Sequence, residues 1–349
     1  MPGEAKVKIG VIGASGYTGA DLIRLAACHP GMEIAVLAAN THAGKPLGEV
    51  FPHLGFIAAP PLVKAEDADW AACDAVFCGL PHGTAQDIIA TLPERVKVID
   101  MSADFRLKST ETYAKWYGRE HAAAHLLKDA VYGLTEFYAE AIAGARLVAC
   151  PGCYPTAALL ALLPLVHARL IDASDIVIDA KSGVSGAGRS LKQNILFSEA
   201  GEGLSPYSIA SHRHAPEIEQ EISAAAGEPV LVNFTPHLVP MSRGELVTAY
   251  VRLAPGHTAA GLAAALNERY AAARFVKLAP KGTLPSTQFV RGSNYCMIGV
   301  YADRIPGRAI VVSAIDNLVK GSAGQAIQNF NLMCGFPEAA GLEQLPLFP

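Results

Sequence analysis

The run Val148-Ala149-Cys150-Pro151-Gly152-Cys153-Tyr154-Pro155-Thr156 sets a cysteine between an apolar, strand-like stretch and the apolar helix pattern Ala157 to Val166. A thiol in that place faces exposed helix N–H groups and the positive end of the helix dipole, which stabilise a thiolate. Pro155 suits the first helical turn, where its missing N–H would have no partner. Cys153 is therefore the candidate nucleophile. Cysteine is more often a small buried hydrophobe, and Cys28, Cys73, Cys78, Cys296 and Cys334 are expected to be that. The turns on either side of Cys153 leave little apolar periodicity for it to join.

A second pattern follows the first strand. Gly13-Ala14-Ser15-Gly16-Tyr17-Thr18-Gly19 is a Gly-x-x-Gly-x-x-Gly loop that opens a helix. Glycines there let the backbone turn tightly and approach a pyrophosphate, whose charge sits at the helix N-terminus. About 20 residues on, where an acid would bind the ribose 2′-hydroxyl of NAD, the chain reads Ala39-Asn40-Thr41-His42. No carboxylate stands there to repel a 2′-phosphate, and Thr41 and Lys45 can bind one, so NADP is favoured over NAD. A thiolate beside a nicotinamide cofactor suits reduction of an acyl compound through a thioester. The proton donor and acceptor is His214, in Ser211-His212-Arg213-His214-Ala215-Pro216-Glu217, where Pro216 and Glu217 mark a helix start. His212 and His214 have the spacing of a metal pair, but no third ligand is near in sequence, so no metal is expected.

The elements that position these residues follow from order and period. Lys8–Ile12, Glu33–Ala38, Ala75–Gly79 and Val96–Asp100 read as strands, with helices over Gly19–Cys28 and Thr84–Leu92. That alternation predicts a parallel sheet with helices on both faces. After Cys153, the β-rich runs Ile176–Ala180, Val230–Phe234, Leu246–Leu253 and Ala309–Ala314, with helices near Ala215–Ala225 and Thr258–Ala272, predict an α+β domain with a more antiparallel sheet. Ser322–Met333 reads as an amphipathic helix. The fold class is α/β: a Rossmann-type parallel-sheet nucleotide domain followed by an α+β domain.

Composition sets limits on partners. The 349 residues carry 28 basic and 32 acidic side chains, a formal charge of −4 with no basic block, so neither nucleic acid nor an anionic membrane is an expected partner. The N-terminus lacks a signal core, and Ala157–Val166, interrupted by Pro164, is far below the ~20 residues that span a bilayer. Seven cysteines at irregular spacing do not form a secreted disulfide framework. A cytoplasmic protein is expected.

The chain also resembles a known family over nearly its whole length. The motifs are the glycine loop, Leu80-Pro81-His82-Gly83, Ser102-Ala103-Asp104-Phe105-Arg106, Tyr132-Gly133-Leu134-Thr135-Glu136, Pro151-Gly152-Cys153-Tyr154-Pro155-Thr156, Asp179–Arg189, His212–Ile218, Pro236–Gly244 and Asp316–Gly321. In these it is similar to the N-acetyl-γ-glutamyl-phosphate reductases, within the wider aspartate-semialdehyde dehydrogenase superfamily. The resemblance implies NADPH-dependent reduction of an acyl phosphate, N-acetyl-γ-glutamyl phosphate, to a semialdehyde in arginine biosynthesis.

The resemblance also assigns roles residue by residue. It makes Cys153 the nucleophile and His214 the acid/base, and gives Gly13, Ser15, Gly16, Tyr17 and Thr18 to the cofactor pyrophosphate and ribose. It places Ser182, Gly183 and Asn317 beside the nicotinamide, and puts Arg106 at the acyl phosphate, with Ser185 and Arg213 as further substrate contacts. It implies a nucleotide domain over 1–152, to which a C-terminal helix of about 318–349 returns, and a catalytic and oligomerisation domain over 153–317. A homodimer or homotetramer is expected. Where the family often has Asn, this chain has Cys150, giving Cys150-Pro151-Gly152-Cys153 the spacing of a redox dithiol; a buried strand-end residue filling the volume of an amide is the favoured reading. The alternatives are the same chemistry on aspartyl phosphate or a carrier-linked glutamyl or aminoadipyl phosphate and, from another class, a non-catalytic nucleotide-binding regulator.

Overall fold

β1 (Val7–Ile12) is rich in β-branched residues and buried over its last four positions, the mark of a strand covered on both faces. In the computed structural model, which describes residues 6–349, it runs straight into the glycine loop and α1 (Tyr17–Ala26). There follow β2 (Met32–Ala38), α2 (Leu47–Val50), β3 (Leu62–Val63), β4 (Ala75–Cys78), α3 (Ala85–Thr91), β5 (Lys97–Asp100), α4 (Thr110–Tyr117), β6 (Ala130–Tyr132), α5 (Thr135–Gly144) and β7 (Leu147–Ala149). The seven strands form one parallel sheet in the order β3-β2-β1-β4-β5-β7-β6. Strand order reverses between β1 and β4, and in open α/β sheets a ligand binds beyond the carboxyl ends of the strands at that reversal. The glycine loop lies at the carboxyl end of β1.

The chain folds as two compact units. The second begins at Gly152 and holds α6 (Cys153–His167), β8 (Ile171–Gly183), α7 (Phe197–Ala200), β9 (Ser205–Pro206), α8 (His214–Ala226), β10 (Asn233–Val239), β11 (Glu245–Leu253), α9 (Ala259–Arg269), β12 (Val276–Leu278), β13 (Cys296–Ala302) and β14 (Arg308–Ile315). Its strands make a mixed sheet, β12-β13-β14-β11-β8-β10-β9, in which the β8–β10 and β12–β13 pairs are parallel and the others antiparallel.

α6 is buried along Tyr154–Val166 and packs against β8, β11, β14, α8 and α9. Pro164 does not interrupt it. The N–H that proline lacks would have bonded the carbonyl of Leu160, and the Tyr270 hydroxyl donates to that carbonyl instead, at 2.6 Å. The helix therefore runs through the proline.

α10 (Gly324–Met333), preceded by a π-helical turn at Val319–Ala323, belongs with the first unit, which includes Ser322–Glu343. Its amphipathic sequence does not leave a solvent-facing polar side. Its polar side chains are buried with the apolar ones. Asn329 Nδ2 donates to the Gly133 carbonyl at 2.9 Å, Thr135 Oγ1 donates to Asn329 Oδ1 at 2.6 Å, and Gln325 Nε2 donates to the Gly133 carbonyl at 2.9 Å. The polar face meets backbone and hydroxyl partners inside the protein, which makes burial tolerable.

None of the seven cysteines is disulfide-bonded. Cys73, Cys78 and Cys296 are buried as expected, whereas Cys28 is exposed just past α1 and Cys334 is half-buried. No helix of the described residues is long and apolar enough to cross a membrane.

Candidate active site

In the first unit the glycine loop has the geometry a phosphate needs. Gly13 has φ +84°, and a Cβ there would collide with the carbonyl of Gly79; a Cβ at Gly19 would stand 2.9 Å from Ala14 Cα and collide with Gly13 O. Both positions exclude side chains. At Gly16, the N-cap of α1, the nearest atom to a Cβ is 3.5 Å away, so that side of the loop is open. The N-terminus of α1 carries no side-chain cap and no acid in its first turn, which leaves its N–H groups to an anion. Ser15 and Thr18 are half-buried and Tyr17 is exposed on the same turn. These residues fit a dinucleotide pyrophosphate. Thr41 lies exposed on the single turn after β2, where Asn40 Oδ1 accepts the Ala65 N–H at 3.1 Å, and Lys45 is exposed three residues beyond that turn.

Arg106 also belongs to the first unit and is buried. Its Nε donates to the Cys150 carbonyl at 2.8 Å and its Nη2 to the Met101 carbonyl at 3.2 Å, so main-chain contacts fix the guanidinium. Asp104, in the same motif, is structural: it accepts from the N–H groups of Gly83 (2.6 Å) and Ala85 (3.1 Å) and from the Tyr113 hydroxyl (2.8 Å), tying down the start of α3. Cys150 is buried against Asn329 Nδ2, and burial pushes its thiol up to about 12. A thiol so placed is inert.

In the second unit Cys153 is the first residue of α6 and half-buried. Gly152 ahead of it is extended, and its N–H donates to the buried Glu217 carboxylate at 2.8 Å. Its carbonyl accepts from Thr156 N and Thr156 Oγ1, both at 2.9 Å. The turn that presents the thiol is therefore held from both sides. His214 begins α8, and its ring lies on Gly152: a Cβ there would stand 2.6 Å from Cε1 and 2.8 Å from Cδ2. The neighbouring His212 accepts the His214 N–H through Nδ1 at 3.1 Å. Burial, then the nearby Arg213 charge, lowers His212 to about 4, so it stays neutral and keeps that acceptor.

The other expected residues of this unit also converge. Asn317 donates through Nδ2 to Ser185 Oγ at 2.9 Å and accepts the Gly244 N–H through Oδ1 at 2.8 Å. A Cβ on Gly186 would sit 2.9 Å from Ser182 Oγ. A Cβ on Gly183 would collide with the 241–242 backbone, and one on Gly321 would lie 2.8 Å from Cys153 Cβ. Arg213 is the half-buried residue just before α8.

Sequence reasoning assigned no role to Glu217 or Glu245. Glu217 was legible only as a helix-start acid. Glu245, the first residue of β11, is completely buried beside the Cys153 thiol; burial raises its carboxyl to about 8, the thiol favouring and the Asp316 charge opposing its ionisation.

Comparison with known proteins bears on this arrangement. Residues 8–145 match the semialdehyde dehydrogenase NAD binding domain, and residues 153–317 match the semialdehyde dehydrogenase dimerisation domain. Among solved structures, aspartate semialdehyde dehydrogenase II from Vibrio cholerae covers 95% of this chain and 99% of its own at TM-score 0.72 and 17% identity. The Candida albicans aspartate semialdehyde dehydrogenase with NADP covers 95% and 99% at TM-score 0.66 and 19% identity. At those identities the likeness concerns the fold. The class is a semialdehyde dehydrogenase, with a parallel-sheet nucleotide domain and a mixed-sheet domain that carries the thiol.

Closer relatives narrow the class. The N-acetyl-gamma-glutamyl-phosphate reductase of Rhodospirillum rubrum is 54% identical over 349 residues, 99% of each chain. The probable chloroplastic N-acetyl-gamma-glutamyl-phosphate reductase of Arabidopsis thaliana is 53% identical over 99% of this chain and 86% of its own. The chain belongs to the N-acetyl-γ-glutamyl-phosphate reductase family.

Proposed function

We infer that this protein uses NADPH to reduce N-acetyl-γ-glutamyl phosphate to N-acetylglutamate semialdehyde and phosphate, in arginine biosynthesis. The observation that carries the reading is the seating of His214 on Gly152, directly before the helix-terminal Cys153. This supports a nucleophile whose acid/base partner is held by its ring against the residue before it. Full-length relatives at 54% identity support the acetylated substrate over the aspartyl one, for which the similarity is 17%.

In this reading Cys153 attacks the acyl carbon, the C–O bond to phosphate breaks, and a thioester remains on sulfur. His214 takes the thiol proton and returns it at the substrate oxygen side. In this reading the N–H groups that open α6 would hold the oxyanion. Gly13, Ser15, Gly16, Tyr17 and Thr18 would hold the cofactor pyrophosphate and ribose, Thr41 the 2′-phosphate, and Ser182, Gly183 and Asn317 the nicotinamide. When bound, NADPH supplies the hydride that turns the thioester into the aldehyde. Arg106, Ser185 and Arg213 are the proposed substrate contacts.

The same proposal includes assembly and place. Leu191, Phe197, Leu204 and Ile209 stand 96%, 92%, 60% and 61% exposed along one segment of the second unit, which supports a partner surface there. A homodimer or homotetramer would cover it, and light scattering on the eluting protein reads that directly. A reaction that needs Cys153 as a thiol suits the reducing cytoplasm.

The test is phosphate-dependent reduction of NADP by the purified protein given N-acetylglutamate semialdehyde, against aspartate semialdehyde and against NAD. Preference for the acetylated substrate with NADP is expected. Preference for aspartate semialdehyde would move the substrate, and silence with both would overturn the enzyme reading.

A further inference from the structure

The Glu245 carboxyl is the least expected group near the thiol. It is 0% exposed, and neither oxygen has an N–H or O–H donor. A buried carboxylate without donors is costly, and such a group normally keeps its proton. The position is set by the sheet: Glu245 pairs in register with Ser182 on β8 and with Ile315 on β14. Ile315 and Cys153 come together over Gly321, where a Cβ would lie 3.2 Å from Ile315 Cδ1 and 2.8 Å from Cys153 Cβ.

The charges around Glu245 also favour the neutral acid. From α6, Cys153 and Tyr154 lie within electrostatic reach of it, as does Tyr207 from the segment ahead of α8. Burial drives both phenols up, so they stay neutral. Beyond β14 stands Asp316, completely buried and supplied with donors by Gly292 N (2.7 Å), Leu318 N (2.9 Å), Val319 N (3.1 Å) and Arg243 Nη1 (3.4 Å). Asp316 is thus equipped to carry a negative charge and Glu245 is not. Ser182 spends its hydroxyl hydrogen on the Gly183 carbonyl at 3.1 Å, and the Cys153 thiol is the side chain that interacts with Glu245 as a hydrogen-bond partner.

We propose that Glu245 is a catalytic residue of the thioester chemistry: a neutral carboxylic acid whose O–H donates a hydrogen bond to the Cys153 sulfur. The bond steadies the thiolate as it attacks and again as it leaves the aldehyde; Glu245 keeps its own proton in both steps, and the thiol proton goes to His214. A carboxylic acid kept neutral by an apolar site so that it can donate is a known catalytic device. Above the pH at which Glu245 ionises, the donor is lost and a second negative charge faces the thiolate and the dianionic phosphate. The proposal rests on Cys153 as nucleophile.

The test is iodoacetamide alkylation of Cys153 in the full-length protein across pH, followed by mass spectrometry, with Glu245→Gln and Glu245→Leu. Gln keeps a neutral donor, so its thiol pKa and kcat/KM at neutral pH should stay within about fivefold of the parent, and its alkaline loss of activity should vanish. Leu removes the donor, so thiolate reactivity and kcat/KM should fall roughly 10- to 150-fold, the span of a hydrogen bond to a charged group. Gln as slow as Leu, or Leu as fast as the parent, would overturn the proposal. Should the variants fail to fold, the parent protein still decides: alkylating Cys153 at neutral pH must shift an infrared band of a protonated carboxyl, and no such shift overturns it. Because alkylation needs no turnover, these outcomes are separate from failure of the substrate assignment.

Discussion

The imidazole of His214 rests on the α-carbon of Gly152, in the space a side chain at that position would occupy. The glycine ahead of Cys153 is therefore required by packing and not by backbone conformation, since its φ of −64° is open to any residue. Gly152→Ala should push the His214 ring away from the thiol and lower kcat by about 100-fold, the contribution of a positioned acid/base. Quenching of protein fluorescence by NADPH should be unchanged. Full activity in the alanine variant would show that the His214 position is not needed.

Gly13 is constrained differently. Its φ of +84° is strained for any other residue, and a Cβ would run into the Gly79 carbonyl. Gly13→Ala should cost roughly 1–3 kcal/mol in backbone strain and weaken NADPH binding more than tenfold, because the loop must move to relieve the collision. Thermal unfolding with and without NADPH separates the two effects: the variant should melt lower alone and gain less from the cofactor.

His212 gives a pH signature. Its folded value of about 4 lies below the ordinary 6.5. Between those values the unfolded chain takes up a proton that the folded chain refuses, so the stability it contributes is whole above pH 6.5 and lost as pH falls to 4. The full shift corresponds to at most roughly 3 kcal/mol. Denaturant titrations at pH 7 and pH 4.5 should show a smaller acid loss in His212→Asn than in the parent; equal losses would place the effect elsewhere.

Much of this was legible in the chain because of how each element is buried. Strands covered on both faces are continuous apolar runs, so β1, β4 and β5 stand out, whereas the two-residue β3 and three-residue β6 have no length in which a period can show. Cys153 was legible because a Pro-Gly turn and Pro155 bracket the start of an apolar helix. Three features were hidden by rules that tertiary structure overrides. Pro164 reads as a break, but Tyr270, over a hundred residues away, supplies the missing donor. The polar residues of α10 read as a solvent face, but backbone carbonyls near Gly133 bond them inside. Glu245, an acid at the head of a strand, reads as an exposed end, and its burial depends on a sheet register that only the fold reveals.

The Cys150-Pro-Gly-Cys153 spacing invites a redox reading, and the two thiols differ in ways that one experiment can use. Cys150 is 1% exposed with its thiol raised to about 12, whereas Cys153 is half-buried at a helix N-terminus. Reactivity follows the thiolate and its access. Brief treatment of the native protein with iodoacetamide at neutral pH should label Cys153 and the exposed Cys28, and spare Cys150 along with the buried Cys73, Cys78 and Cys296. Peptide mass mapping reads each site, and mild peroxide should leave Cys150 reduced. Labelling of Cys150 at a rate near that of Cys153 would mean that its burial is broken on the timescale of the reaction, and would restore the dithiol as a regulatory pair.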